Sequence, residues 1–398
     1  MSQPLEEIAQ QLHAADKKVQ LIYAFNGTGK TRLSRALKNL IAPKAEDGHE
    51  GDLSREKILY YNAFTEDLFY WDNDLEGNGN AKLVIQPNTF TEWILAEQGQ
   101  EPNITRNFQR YANDKLTPTF NQEYTVQTKD ELGQDKEIVI KAFSEVTFSV
   151  EAGGDEETGN FKISKGEESN FIWSIFFTLL EEVVSVLSIA EVGDRPTEQF
   201  NGLQYVFVDD PVSSLDENHL IELAVNLADL IKAAPSQVKF VITTHNPLFY
   251  NVLHNELDLK KQGKKEGCYL LERMENGTFN LNVKYGDANK SFSYHLHLKK
   301  VLEEAIAGNA VERYHFTLLR NLYEKTAGFL GYARWSDLLD TVEGSKDAYV
   351  RAINTFTHSA LSNEQVRYPS TAEKNTVKLL LDNLVNNYAY WQQDERNG

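Results

Sequence analysis

The segment Ala24-Phe25-Asn26-Gly27-Thr28-Gly29-Lys30-Thr31 follows a short apolar run, Val19-Gln20-Leu21-Ile22-Tyr23. It opens a helical pattern with Leu33, Leu37, Leu40 and Ile41 on one face. Strand, glycine loop and helix in that order confine the chain to α/β folds whose parallel sheet carries the loop at its carboxyl edge. The segment fits G-x-x-x-x-G-K-[ST] except at its first position, where Ala24 stands in place of glycine and is small enough to fit. Gly27 and Gly29 let backbone N–H groups turn inward on phosphate oxygens, and the helix start adds its positive end. Asn26, Gly27, Thr28, Gly29, Lys30 and Thr31 thus form a candidate phosphate cradle. Lys30 is placed for the β- and γ-phosphates of ATP or GTP, and the Thr31 hydroxyl for Mg²⁺.

A second run, Gln204-Tyr205-Val206-Phe207-Val208, ends in Asp209 and Asp210. Near-continuous apolar runs read as buried parallel strands, and acids at their carboxyl ends lie where open α/β sheets bind ligands. Asp209 is the candidate Mg²⁺ ligand and Asp210 the candidate base for an attacking water. A third run, Phe240-Val241-Ile242-Thr243-Thr244, delivers His245.

These residues resemble the ABC-type ATPases. Asp209-Asp210-Pro211 is similar to their Walker B motif, with Asp in place of the usual catalytic Glu. Ser213-Ser214-Leu215-Asp216 resembles the D-loop and Thr244-His245 the switch histidine. Ile163-Ser164-Lys165-Gly166-Glu167 resembles the LSGGQ-type signature, and Asn62 is the candidate for the Q-loop position. The resemblance implies that Ser164 and Gly166 of one protomer close on nucleotide held at Lys30 of another. The short Asp210 side chain implies slow turnover, since misplacing a catalytic group by about 1 Å costs about 10²-fold.

The 398 residues suffice for two or three domains, and 41% hydrophobic content marks a globular chain. Cys268 is the sole cysteine, so no internal disulfide forms, which fits a reducing, cytoplasmic setting. No stretch of about 18 apolar residues is evident, and no membrane association is expected. The net charge of −19 falls entirely on residues 1–283, because residues 284–398 balance acid against base. The acidic part repels polyanions, so any nucleic-acid contact belongs to the C-terminal part.

The expected architecture is an α/β ABC-type head over residues 1–265. Strand-like runs at 82–85, 137–140 and 146–150 form an inserted antiparallel β-subdomain at about 83–162, with a hairpin at 153–159. Residues 266–398 form a second domain, all-helical from about residue 291.

In that second domain Arg320 and Glu324 stand at i and i+4, and Arg351, Asn354 and His358 also share a helix face. An arginine, a carboxylate and a histidine together suffice for RNA cleavage without a metal. The carboxylate takes the 2′-OH proton, the imidazole protonates the leaving 5′-oxygen and the guanidinium stabilises the phosphorane, leaving a 2′,3′-cyclic phosphate. The same spacings also suit ordinary surface salt bridges and a solvated histidine.

Taken whole, the chain resembles the PrrC-type anticodon nucleases, an ABC-type head joined to a HEPN-like helical ribonuclease domain. The resemblance rests on residues 20–26, 213–216, Lys284-Tyr285-Gly286-Asp287, Arg320 with Glu324, and His358; the Arg351-x₆-His358 spacing adds the HEPN likeness. It implies cleavage of tRNA in the anticodon loop by Arg320, Glu324 and His358, with hydrolysis at Asp210 and His245 of the head. It implies substrate recognition by Lys284, Tyr285, Asp287, Ser291, Tyr294, Arg351 and Asn354. It further implies a homodimer or higher homo-oligomer, more than one nucleotide type, restraint by a type I restriction–modification complex and an antiphage toxin role. A DNA-repair or SMC-like head with a non-catalytic helical tail is the rival reading, and an ABC transport ATPase a third.

Overall fold

The computed structural model describes residues 2–43, 57–62, 65, 67–72, 81–112, 114–129, 135–150, 161–211, 217–259, 267–274, 276–283, 294–357 and 368–388. The chain divides into two compact units, residues 1–288 and 289–398.

The first unit is built on a six-stranded sheet. Its strands are β1 (Val19–Ala24), β2 (Ile58–Tyr61), β9 (Tyr205–Asp209), β10 (Lys239–Thr244), β11 (Cys268–Arg273) and β12 (Phe279–Val283), in the order β12-β11-β1-β10-β9-β2. All pairs are parallel except the edge pair β11–β12. The three runs read as buried strands are the three central ones, and every residue of β9 is buried. Their register sets Tyr23 beside Thr244 and Thr243 beside Asp209. The loop after β1, the acids closing β9 and the histidine after β10 therefore leave the sheet at one edge.

Helices α1 (Leu5–Ala14) and α2 (Lys30–Ile41) pack on this sheet through Leu5, Ile8, Leu12, Leu33, Leu37 and Ile41, against Ile22, Phe207, Val241 and Leu271. Leu40, expected on the same face of α2, is exposed, because the helical period carries it past the buried stripe.

The strand pair β11–β12 corrects the expected boundary at residue 266. These strands complete the first unit's sheet, and the division falls between 288 and 289. Gly267 makes the junction possible. It holds φ +75°, its carbonyl accepts the Leu21 N–H, and a Cβ there would run into the Val19 carbonyl.

The β-subdomain also begins earlier than expected. Strands β3 (Phe69–Asp72), β4 (Lys82–Ile85), β5 (Leu116–Phe120) and β8 (Glu145–Val150) form an antiparallel sheet ordered β3-β4-β8-β5. Strands β6 (Tyr124–Lys129) and β7 (Asp135–Ile140) pair as a separate two-stranded ribbon. The sheet packs on α3 (Glu101–Tyr111) and α4 (Lys165–Leu187) through Phe108, Phe148 and Phe171, whose rings meet edge to face at 5.1–5.8 Å. The hairpin expected at 153–159 lies outside the described residues.

Contrary to the sequence reading, α4 is long and apolar enough to cross a membrane: its most apolar 18 residues have a mean hydropathy of 1.5. Of that window 78% is buried within the fold, where Trp173 and Phe176 pack against Tyr61, so it is the central helix of a protein core. Helices α5 (Glu217–Ala233) and α6 (Pro247–Glu256) follow β9 and β10 and pack on each other.

The secondary structure of the second unit's described residues is helical: α7 (Tyr294–Ala307), α8 (Arg313–Leu330), a 3₁₀ segment (Trp335–Thr341), α9 (Lys346–Thr357) and α10 (Thr371–Asn387). Its own core gathers Leu298, Leu302, Phe316, Leu319, Ile353 and Leu380. Gly331, at φ +81°, ends α8 in a left-handed cap.

Candidate functional site

The head site grows from the end of β1. Ala24 closes the strand fully buried and is not among the left-handed residues, so alanine serves where the pattern usually has glycine. Gly27 and Gly29 do carry positive φ, +79° and +101°, and the Phe279 ring lies 3.3 Å from where a Cβ on Gly29 would sit. Lys30 is the first residue of α2 and is buried. Its ammonium donates to Asn26 Oδ1 at 3.1 Å and to the Ala24 carbonyl at 3.3 Å, and pairs with Asp210 at 3.3 Å.

Thr31 Oγ1 donates to Asp209 Oδ2 at 2.6 Å, and Thr243 Oγ1 donates to Asp209 Oδ1. Asp210 holds a left-handed φ of +53°, which asparagine and aspartate tolerate best among non-glycine residues. Its N–H donates to the Thr243 carbonyl at 2.9 Å. Its carboxylate pairs with His245 Nδ1 and Lys30, and accepts from the His245 N–H and Thr244 Oγ1, each at 3.3 Å.

The two acids are driven apart in acidity. Burial pushes the Asp209 carboxyl above its ordinary range, against the pull of the Thr243 and Thr31 hydroxyls. Burial acts the same way on Asp210, but the His245 hydrogen bond and the Lys30 charge together hold it below that range. Thr31 and Asp209 present hard oxygen donors in direct contact. That set suits Mg²⁺, which is held by one or two protein ligands with phosphate and water completing its shell.

Asn62 Nδ2 donates to Ser34 Oγ at 3.1 Å, which donates to the Thr31 carbonyl at 2.7 Å. Ser164 is exposed and caps α4 in a reciprocal box with Glu167, with Gly166 in the first turn. Asp216 lies outside the described residues. Sequence reasoning missed the hold of Thr243 on Asp209, whose only signal was a hydroxyl residue near the end of an apolar strand.

In the helical unit the structure brings together three of the expected residues. Arg320 Nε donates to Glu324 Oε1 at 2.7 Å along α8, and Arg320 Nη1 donates to Asn354 Oδ1 of α9 at 3.3 Å. Arg351 is exposed, and its Nε donates to the Asp347 carbonyl on its own helix at 3.2 Å. His358 follows the last residue of α9 and lies outside the described residues, as do Lys284, Tyr285, Asp287 and Ser291 and the side chain of Tyr294.

A parallel sheet with a phosphate loop, a hydroxyl–carboxylate pair and a strand-end histidine at one edge defines a P-loop nucleotide-binding ATPase head. A family model described as an AAA domain matches residues 154–381. A protein of Escherichia coli described as an anticodon nuclease is 57% identical over 424 aligned residues, covering 100% of both chains. Among solved structures, an Smc head bound to the C-terminal winged-helix domain of ScpA is 11% identical with a TM-score of 0.31, covering 69% of this chain and 92% of that one. The SMC head domain of Thermotoga maritima is 13% identical with a TM-score of 0.30, covering 68% and 91%. The chain belongs to the family of PrrC-type anticodon nucleases, and it is an enzyme with a nucleotide-binding head.

Proposed function

We propose that this protein is a nucleotide-controlled endoribonuclease that cuts tRNA within the anticodon loop. The observation that carries the reading is the meeting of Arg320, Glu324 and Asn354 across two helices, four residues before His358, in a chain of this family. Glu324 removes the proton of the 2′-hydroxyl, which attacks the adjacent phosphorus. His358 protonates the departing 5′-oxygen, and Arg320 stabilises the charge on the phosphorane. The products are a 2′,3′-cyclic phosphate and a 5′-OH, formed without a metal. The folding type of this domain is HEPN-like, and residues 284–294 read unpaired loop bases by stacking and edge hydrogen bonds.

In the head, Asn26 and Lys30 with the backbone of residues 27–31 hold the phosphates of ATP or GTP. Thr31 and Asp209 hold Mg²⁺, which when bound neutralises phosphate charge. Asp210, oriented by His245, takes the proton of the attacking water. Ser164 and Gly166 complete a second copy's site in a homodimer or larger homo-oligomer. A second nucleotide type adds to the control, a type I restriction–modification complex restrains the enzyme as an antiphage toxin, and the setting is cytoplasmic.

Sequencing RNA ends from cells expressing the chain tests the reading. Cuts confined to anticodon loops, with cyclic-phosphate and 5′-OH ends that vanish in His358→Ala, are expected. A 5′-phosphate, or full cutting by His358→Ala, rejects the acid–base mechanism; absence of any cutting favours a non-catalytic tail.

A further inference from the structure

Besides Glu324 and Asn354, the Arg320 guanidinium has a third neighbour: its Cζ lies 5.8 Å from the centre of the Trp335 ring. Trp335 opens the 3₁₀ segment after α8 and entered none of the expectations from sequence. The segment is fixed from several sides. Leu338 and Leu339 are buried in the core, Asn383 Nδ2 donates to Thr341 Oγ1 at 2.9 Å, and the Tyr388 hydroxyl donates to the Leu338 carbonyl at 2.9 Å. Tyr323 meets the indole edge-on at 6.2 Å.

Asn354 is equally anchored. Ile353 beside it is fully buried, the Phe356 ring lies 4.3 Å from Phe316, and Arg313 Nε donates to the Phe356 carbonyl at 3.2 Å. Arg320 is thereby held along its own helix by a carboxylate, from α9 by an amide oxygen, and on a ring face by an indole. An arginine side chain has many rotamers, and a planar guanidinium is suited to a stacked, forked hold that lysine cannot use.

We infer that Trp335 and Asn354 clamp the Arg320 guanidinium in its working orientation: both are positioning residues of the ribonuclease site, and Asn354 acts on the arginine rather than reading RNA. The inference rests on the proposed catalytic role of Arg320. A guanidinium fixed before the phosphorane forms needs no reorganisation when charge develops, so losing the clamp lowers kcat and leaves ground-state binding alone.

The test uses the full chain and the tRNA identified by end sequencing, with Trp335→Leu, Trp335→Phe, Asn354→Ala and Arg320→Ala compared for kcat, KM, cut position and thermal unfolding midpoint. Trp335→Leu and Asn354→Ala are expected to lower kcat about ten- to hundredfold with KM within about twofold and the cut position unchanged. Trp335→Phe, which keeps an aromatic face, recovers most of the loss. Should Trp335→Leu fail to fold, the graded kcat of Trp335→Phe and the Asn354→Ala result carry the same decision. Parent kcat in the folded variants, a loss confined to KM, or a shifted cut position in Asn354→Ala overturns the clamp. Full activity in Arg320→Ala instead overturns the catalytic reading beneath it.

Discussion

The head and the helical unit assemble their sites by different means. In the head, each group is delivered by the end of a strand or the start of a helix, so backbone register places the chemistry. Lys30, Asp209 and His245 come from distant parts of the chain, yet parallel pairing of β1, β10 and β9 brings them to one edge. In the helical unit, Arg320 and Glu324 share a helix, but Asn354 and Trp335 arrive from separately packed segments. A register-built site is robust to side-chain repacking, whereas a packing-built site depends on each helix keeping its angle and depth. Mutations should therefore separate the two activities and damage them in different ways.

The sharpest break comes from Glu324→Ala. Removing a general base, the role proposed for Glu324, costs about 10²–10⁴-fold, so on that proposal RNA cleavage collapses while nucleotide hydrolysis, followed by phosphate release, stays at the parent rate. Loss of both activities together would mean that the two sites are not independent. Lys30→Met should act in the opposite sense, abolishing nucleotide binding measured by calorimetry. It also removes one partner of the half-buried Asp210 carboxylate, whose bonds to His245 and Thr244 remain, at about 1.5 kcal/mol of head stability. Retained binding in this variant would remove Lys30 from the cradle.

Gly267→Ala probes the register rather than the chemistry. Its positive φ and the Val19 carbonyl in its way should cost about 2 kcal/mol in chemical denaturation and weaken nucleotide binding only through β1. An unchanged midpoint would show that β11 tolerates displacement from β1.

The smallest effect concerns acid. Asp210 has a depressed folded-state pKa, so it contributes stability that is present above its unfolded value, 3.8, and is lost as pH falls through the folded value. Asp209 is raised, so its charge opposes folding at neutral pH, and protonation relieves that opposition. Asp210→Asn should therefore lose less stability than the parent as pH falls below 3.8, whereas Asp209→Asn should lose more as pH falls from neutral toward 3.8, measured as denaturation midpoints against pH.

The same contrast explains what the sequence disclosed. Strand, loop and helix in the head are local signals: Lys30 and Thr31 were legible from the glycine loop between β1 and α2, and Asp209, Asp210 and His245 because apolar runs end on them. The boundary was misplaced because the Lys-rich stretch 260–266 reads as a linker, whereas the partner that claims β11 is β1, almost 250 residues earlier. The pairing of Arg320 with Glu324 was legible from helical spacing, whereas a role for the pair in RNA cleavage was favoured only by the family resemblance. The bond from Arg320 to Asn354 and the stacking on Trp335 were not legible, since contacts between helices depend on packing angle and not on any repeat in the chain. The membrane-like apolarity of α4 was underestimated for a related reason: Asn170, Ser174 and Thr178 are buried on it, Ser174 and Thr178 donating to carbonyls of the helix itself and Asn170 to the Tyr111 carbonyl of α3, which leaves the helix polar in letters and apolar in behaviour.

The central position of β1 also orders events during synthesis. β1 is flanked by β10 and β11, so the first strand made cannot be enclosed until residue 273 has left the ribosome. The aromatic partners of α4, Tyr61 of β2, Phe108 of α3 and Phe148 of β8, all precede it in the chain, so the cover of this 23-residue apolar helix does not wait for β11. The helix bearing Arg320 and Glu324 is translated only afterwards, so the nucleotide-binding unit can be complete before the helical unit exists.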